Sequence, residues 1–357
     1  MVRRTALHRL RQDIADLHPG YAALVMATGI VSTGLELFGL HALSTVLLVV
    51  AIVALAALVV AYTWRAVRYP RRVIADVRDP ARGFGYFTLV AAPNVVGVRL
   101  AEDHPLVCLV LGLATVPVWL VVTYVVPGSM VIGRRQAPVL PRTDGSWFMW
   151  VVGTQSLAAT AATVAAAEPS LAASLAPWAV AFWGMAVVLY LMLIGLVTVR
   201  LLESPVAPHA LSPTYWVYMG ATAISVLAAA KILALSPTLP VLLATREVVS
   251  GLAFVLWAFG TWWIPLLLAF AVRRHLVDRE HVGYEPALWS MVFPLGMYAA
   301  ASATYGRTSG LAFMVDIARV EVWFGFAAWV VVAIAMGRSF LPRRGRPVPA
   351  SSTHMVG

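Results

Sequence analysis

Charge is almost absent from ten stretches of this chain, each about the length a helix needs to cross a lipid bilayer. Read between charged or Pro/Gly-rich breaks, they cover 20–38, 42–64, 83–100, 106–126, 146–167, 176–199, 214–232, 247–270, 286–305 and 320–337. A spanning helix needs roughly 20 apolar residues, whereas barrel strands are about 10 residues long and alternate in polarity. Across the 357 residues, 61% are hydrophobic and 12% charged, against about 45–50% and about 25% in a soluble domain. The expected fold is therefore an all-α polytopic membrane protein, and a soluble enzyme, a fibre and a disordered chain are excluded. With a single cysteine, Cys108, there is no internal disulfide, and its apolar surroundings suit an inert thiol.

The distribution of basic residues orients the spans. Of 26 Lys and Arg residues, all but Arg99, Lys231, Arg246, Arg307 and Arg319 fall in the termini and alternate loops on one side. The positive-inside rule places that side in the cytoplasm, and an even number of spans requires both termini to share it. The net charge of +10 thus reports topology in a cell (plasma) membrane, not a nucleic-acid partner. Residues 1–18 read as a cytosolic segment with no apolar core of its own, so not as a cleaved signal peptide. Residues 19–340 form the ten-helix domain, and 341–357, rich in Pro, Arg and Ser, are an expected disordered cytosolic tail.

The spans are of two kinds. Odd-numbered spans hold 17 Ser, Thr, Asn and Gln residues, against 8 in the even-numbered ones. Odd spans also carry Gly29, Pro93, Gly153, Gly220, Pro294 and Gly296 near their middles. Polar groups and distorted backbone at membrane depth are tolerated only inside protein or beside a water-filled cavity. This implies an inner ring of five odd-numbered helices inside an outer ring of five even-numbered ones, with helical hairpins joining neighbours. Close helix packing by small residues accounts for Gly and Ala, but less well for Asn94 and Gln155.

No cluster of His, Cys or carboxylates falls inside a span, so neither a metal site nor acid–base catalysis is indicated, and no cofactor motif is present. A pathway without carboxylates does not repel anions, and helix ends and freed amides can stabilise them. Arg82, Arg99, Lys231 and Arg246 at the mouths would concentrate anions, although headgroup anchoring explains any one of them as well. The expected lining is Thr28, Gly29 and Ser32 on the first span and Pro93 and Asn94 on the third. Thr154 and Gln155 on the fifth, Tyr218 and Thr222 on the seventh, and Ser290 and Pro294 on the ninth complete it. Phe293, beside Pro294, is either a hydrophobic plug or ordinary packing.

Four stretches carry a family resemblance: PGYAALVMATGIVSTGL in the first span, DPARGFGYFTLVAAPNVVG entering the third, YWVYMGATAIS in the seventh and WSMVFPLGMY in the ninth. Together with the ten-span count they resemble the tellurite-resistance/dicarboxylate transporter family. That family includes the tellurite-resistance protein TehA, malic acid transport proteins and plant slow anion channels. The resemblance implies five helical hairpins about a central pore in each subunit of a homotrimer. It also implies a pore-occluding phenylalanine in a W-x-x-x-F pattern, matched by Trp289 and Phe293. Asp79-Pro80-Ala81-Arg82 departs from the His-Pro-x-Arg form of some members, and the short termini leave no room for a kinase-regulated domain. The expected function is transport of small anions: C4-dicarboxylates such as malate, or oxyanions such as tellurite or sulfite. A proton-coupled dicarboxylate symporter and a non-transporting membrane sensor or scaffold are the alternatives.

Overall fold

The computed structural model describes residues 11–132, 138–203, 212–273 and 283–340, so the tail from 341 and the first ten residues lie outside the described part. Among the described residues the protein is helical with no strand, and ten helices dominate it. The odd-numbered ones are α1 (Ala23–Leu37), α3 (Thr88–Leu100), α5 (Met149–Ala167), α7 (Val217–Leu233) and α9 (Trp289–Ser309). The even-numbered ones are longer: α2 (His41–Arg68), α4 (Pro105–Ile132), α6 (Pro169–Glu203), α8 (Pro240–Val272) and α10 (Ala312–Ser339). Every odd helix is entered through a 3₁₀ turn, at Pro19–Ala22, Gly83–Phe87, Gly145–Phe148, Pro213–Trp216 and Pro286–Leu288.

Eight of these helices are long and apolar enough to cross a membrane. Of the ten expected spans, α3 and α9 are the two that fall short of that measure. α3 carries Pro93, Asn94 and Arg99 in only 13 residues. At about 1.5 Å per α-helical residue and about 2 Å per 3₁₀ residue, α3 and its entry turn extend roughly 30 Å. Its length therefore suits a bilayer even though its composition does not. Both helices are wrapped by neighbours instead of lipid, and the apolar signal of a lipid-facing helix is not demanded of them.

Burial separates the two kinds of helix. In the most apolar windows of the even helices 17–33% of residues are buried, against 67–94% for α1, α5 and α7 with their entry turns. Valines and leucines such as Val53, Val60, Val110 and Val188 stand exposed on the even helices, where lipid is their natural solvent. α1 packs on α3, α3 on α5, α5 on α7, α7 on α9, and α9 back on α1, while each odd helix also packs on the even helix after it. Glycines set the close approaches between odd helices. A Cβ on Gly29 would press Val95, on Gly153 Phe87, on Gly220 Pro294 and on Gly296 Val31. Helices in lipid gain contact this way because no hydrophobic effect drives them together. Two turns are made by left-handed glycines, Gly39 (φ 78°) between α1 and α2 and Gly310 (φ 70°) between α9 and α10.

A repeated latch joins four of the five outer helices, α4, α6, α8 and α10, to the next inner one. Trp119 of α4 donates its indole N–H to Thr154 Oγ1 of α5 (2.9 Å), and Trp183 of α6 donates to the Ser225 carbonyl of α7 (2.9 Å). Trp257 of α8 donates to Ser302 Oγ of α9 (2.8 Å), and Trp329 of α10 donates to Thr28 Oγ1 of α1 (2.9 Å). Tryptophan suits this place because its ring packs against apolar neighbours while its N–H finds a partner.

The end bearing the 3₁₀ turns is closed by charge. A short helix, Pro70–Arg78, folds back after α2. Its Asp76 accepts a 2.6 Å bond from buried Arg65 and lies 2.7 Å from Arg82 Nε. Arg65 also donates to Tyr86 Oη and to the Ala15 carbonyl, which ties the segment before α1 to the bundle. Nearby, His18 accepts the Gly20 amide on Nδ1 (3.0 Å). Burial, reinforced by the Arg82 guanidinium, pulls the imidazole down from 6.5 to about 4. The native state thus binds fewer protons here than the unfolded chain, so the stability contribution is complete above pH 6.5 and is lost as pH falls toward 4. Thermal denaturation in detergent should show that loss in the native protein and a flatter profile in His18→Gln. An equal acid slope in both would show that His18 is not its source.

Candidate functional site

A cavity of about 60 Å³ opens in the half of the bundle away from the 3₁₀ turns. That is room for roughly four to six waters at about 10–15 Å³ each. Its walls come from the odd helices and the turn just after α3, and no even-numbered helix contributes. α1 supplies Ile30, Thr33, Glu36 and Leu37, and α3 supplies Asn94, Val95, Val98 and Arg99, with Glu102 just beyond it. Ser156 and Ala159 come from α5, Ile224, Leu227 and Lys231 from α7, and Met297 and Thr304 from α9.

The inner end of the cavity is polar on one side. Asn94 Nδ2 has three acceptors for two protons: the Val90 carbonyl at 2.9 Å, Thr115 Oγ1 at 3.1 Å and Ser156 Oγ at 3.1 Å. Its Oδ1 accepts from Thr160 Oγ1 at 3.1 Å. One amide therefore joins α3, α4 and α5 while bordering the cavity. At the outer end Arg99 donates to Glu36 (2.6 Å) and to Ser44 Oγ (3.0 Å), and Glu36 also meets His41 Nδ1 at 2.8 Å.

Of the eleven expected lining residues, Asn94 borders the cavity. The polar atoms of several others are engaged at helix contacts. Thr28 donates to the Leu24 carbonyl (2.8 Å) as well as accepting from Trp329. Ser32 and Ser44 exchange bonds between α1 and α2, Ser32 donating at 2.7 Å. Thr154 donates to the Trp150 carbonyl (2.8 Å), and Thr222 to the Met219 carbonyl (2.8 Å) where it faces Gly260 of α8. Gln155 donates to Ser225 Oγ (2.9 Å) and the Trp183 carbonyl (3.3 Å). Tyr218 sits among Phe148 and Trp263, ring centres 4.5 and 4.9 Å away. Gly29 and Pro294 stand at the glycine contacts already described, and Pro93 and Ser290 are buried. Thr33, Glu36, Glu102, Ser156 and Thr304 were not anticipated. Their sequence signal was weak, since a charge at a span end ordinarily marks the lipid interface.

Phe293 is fully buried. On α9 it shares a stripe with the cavity residues Met297 and Thr304, because spacings of 4 and 11 bring all three within about 40° around the helix. It lies one turn, about 6 Å, farther in than Met297. The same step inward from Ile30, Asn94, Ser156 and Ile224 reaches Met26, Val90, Val152 and Gly220, all buried. That level is apolar on every odd helix, and Phe293 is its largest side chain.

The fold and the walls of the cavity define a class: a multi-pass, all-helical membrane protein whose internal cavity is built by one subset of its helices. The chain belongs to the voltage-dependent anion channel family, whose model matches residues 16–336. Membership makes it an anion transporter or channel of the membrane. An uncharacterized membrane protein of Mycobacterium tuberculosis is 40% identical over 169 residues, 47% of this chain and 84% of its own length. An uncharacterized transporter of Methanocaldococcus jannaschii is 22% identical over 333 residues, 91% of this chain and 95% of its own.

Proposed function

We propose that the protein passes small anions through a conduit inside each subunit, running along the axis shared by α1, α3, α5, α7 and α9. All five helices, α3 and α9 included, cross the membrane in this reading, and Phe293 closes the conduit one turn below the cavity floor. The observation that carries the proposal is the cavity wall, to which all five odd helices contribute and no even helix does. Phe293 supports it by continuing the cavity-facing stripe of α9 into an apolar level, where a ring excludes water and ions together. The arginine-rich end of the 3₁₀ turns faces the cytoplasm of the cell membrane, with both termini, and the cavity opens outward.

C4-dicarboxylates such as malate, oxyanions such as tellurite or sulfite, and halides are the proposed cargo. The exposed apolar faces of the even helices suit lipid and, in the proposed homotrimer, neighbouring subunits. The test is flux in proteoliposomes with chloride, nitrate, sulfite and malate against potassium, using native protein and Phe293→Ala. Anion flux well above potassium flux supports the reading. Flux of neither, or of both equally, overturns it.

A further inference from the structure

The charges around the outer cavity are not equivalent. Arg99 is consumed by Glu36 and Ser44, and its side chain is only 9% exposed. Lys231, in the last turn of α7, lines the same cavity half-buried. Among the described residues no carboxylate lies within ion-pair distance of it; of the two acids lining the cavity, Glu36 is paired with Arg99 and His41, which leaves Glu102 on the exposed rim. We propose that Lys231 is the anion-docking residue of this cavity and that Glu102 competes with the incoming anion for its ammonium group. This rests on the functional reading above and deepens it, by assigning the first binding step to one side chain.

The physical case is one of location. An ammonium group is a strongly hydrated point charge, and in a narrow cavity its field is screened less than on the open surface. An anion entering from water meets the rim acid Glu102 first and Lys231 next, a few turns above the Asn94 level. Glu102, being exposed, is well screened by water and salt. It therefore tempers the affinity without cancelling it, so that a docked anion can leave inward. The competing structural role for Lys231 is that of a basic residue complementing the C-terminal dipole of α7. In that role any effect of replacing it would be on stability, not on anion dependence.

The experiment measures anion binding directly, by thermal shift of the purified full-length protein during nitrate titration at constant ionic strength. A ligand at concentration L that binds the native state raises its stability by RT ln(1 + L/Kd), so the shift sets in as nitrate passes its dissociation constant and then grows with the logarithm of concentration. The native protein is expected to show a nitrate-dependent shift that follows this relation. Lys231→Met should weaken the apparent affinity by about tenfold or more, Lys231→Arg should retain it, and Glu102→Gln should tighten it about two- to fivefold. A nitrate shift unchanged in Lys231→Met, with that variant folded and eluting as the native protein does, overturns the assignment. So does a native protein whose stability does not change with nitrate at constant ionic strength. Because binding is read without flux, the two readings separate. Nitrate binding that depends on Lys231, in a protein whose Phe293→Ala form passes no anion, would keep the docking site and refute the conduit. Anion flux without a Lys231-dependent shift would do the reverse.

Discussion

Replacing Phe293 with alanine is expected to raise anion flux through reconstituted protein by on the order of tenfold or more, as removal of an apolar constriction should. The ring lies on the stripe of Met297 and Thr304, at a level where the other odd helices offer Met26, Val90, Val152 and Gly220. Gly220 has no side chain to refill the space, and Pro294 already occupies its open side. A ring that merely packs would behave differently. Phe→Ala in a tight core costs about 3–5 kcal/mol, and such a variant would be poorly folded and no more conductive. A gate faces a conduit on one side, so its loss should destabilise less and conduct more. Phe293→Leu, which keeps an apolar side chain of smaller reach, is expected to fall between the two. Equal flux from the native protein and a well-folded Phe293→Ala would assign Phe293 to packing.

The largest stability effect is expected at the opposite end, where Asp76 lies between Arg65 and Arg82. The Arg65 side chain is 2% exposed. With Asp76→Ala its guanidinium would be left buried without its counter-charge, which costs about 3–5 kcal/mol in comparable buried pairs. The segment carrying Ala15 and His18 should loosen with it, since Arg65 also holds the Ala15 carbonyl. Asp76→Asn keeps an acceptor but no charge and should lose less. Pairing Asp76→Leu with Arg65→Met should recover much of the loss, because replacing both partners of a buried pair by apolar groups is often neutral. Urea or thermal unfolding in detergent, with limited proteolysis of the N-terminal segment, reads both effects. An Asp76→Ala protein as stable as the native one would show that the cluster contributes nothing to stability.

The even helices were legible because lipid imposes a one-sided demand on them: they are long, apolar and exposed. Their ends were not. α8 begins at Pro240 rather than near Glu247, and α10 at Ala312 rather than near Val320, running through Arg246, Asp316 and Arg319. Charges read as breaks are accommodated in helix wherever headgroups and water are within reach. The short helix Pro70–Arg78 was hidden in an arginine-rich loop for the same reason. The division into polar odd and apolar even helices reappears as the contrast in burial. The orientation of each odd helix could not be read, since a helix buried on all sides has no polar face to mark. Thr28, Ser32, Thr154 and Thr222 looked like lining residues because they are polar at membrane depth. Their hydroxyls instead serve backbone carbonyls, Trp indoles and the neighbouring even helices. The tryptophans that donate to Thr28 and Thr154 gave no sequence signal of a latch, as indoles are also common at membrane interfaces.

Whether ions travel between the odd helices can be tested most directly with the chain's own chemistry. Cys108 is its single cysteine, so Cys108→Ala gives a background in which introduced thiols are the only ones. In that background with Phe293→Ala, cysteines at Ser156 and Ile224, on two different helices bordering the cavity, should react with a charged, membrane-impermeant thiol reagent and block anion flux. Cysteines at the exposed positions Val60 and Val188 of the even helices should leave flux unchanged. Block at Ser156 and Ile224 alone is the result this account predicts. Undiminished flux after demonstrated modification of both, or block only from the even helices, would place the pathway elsewhere and contradict it.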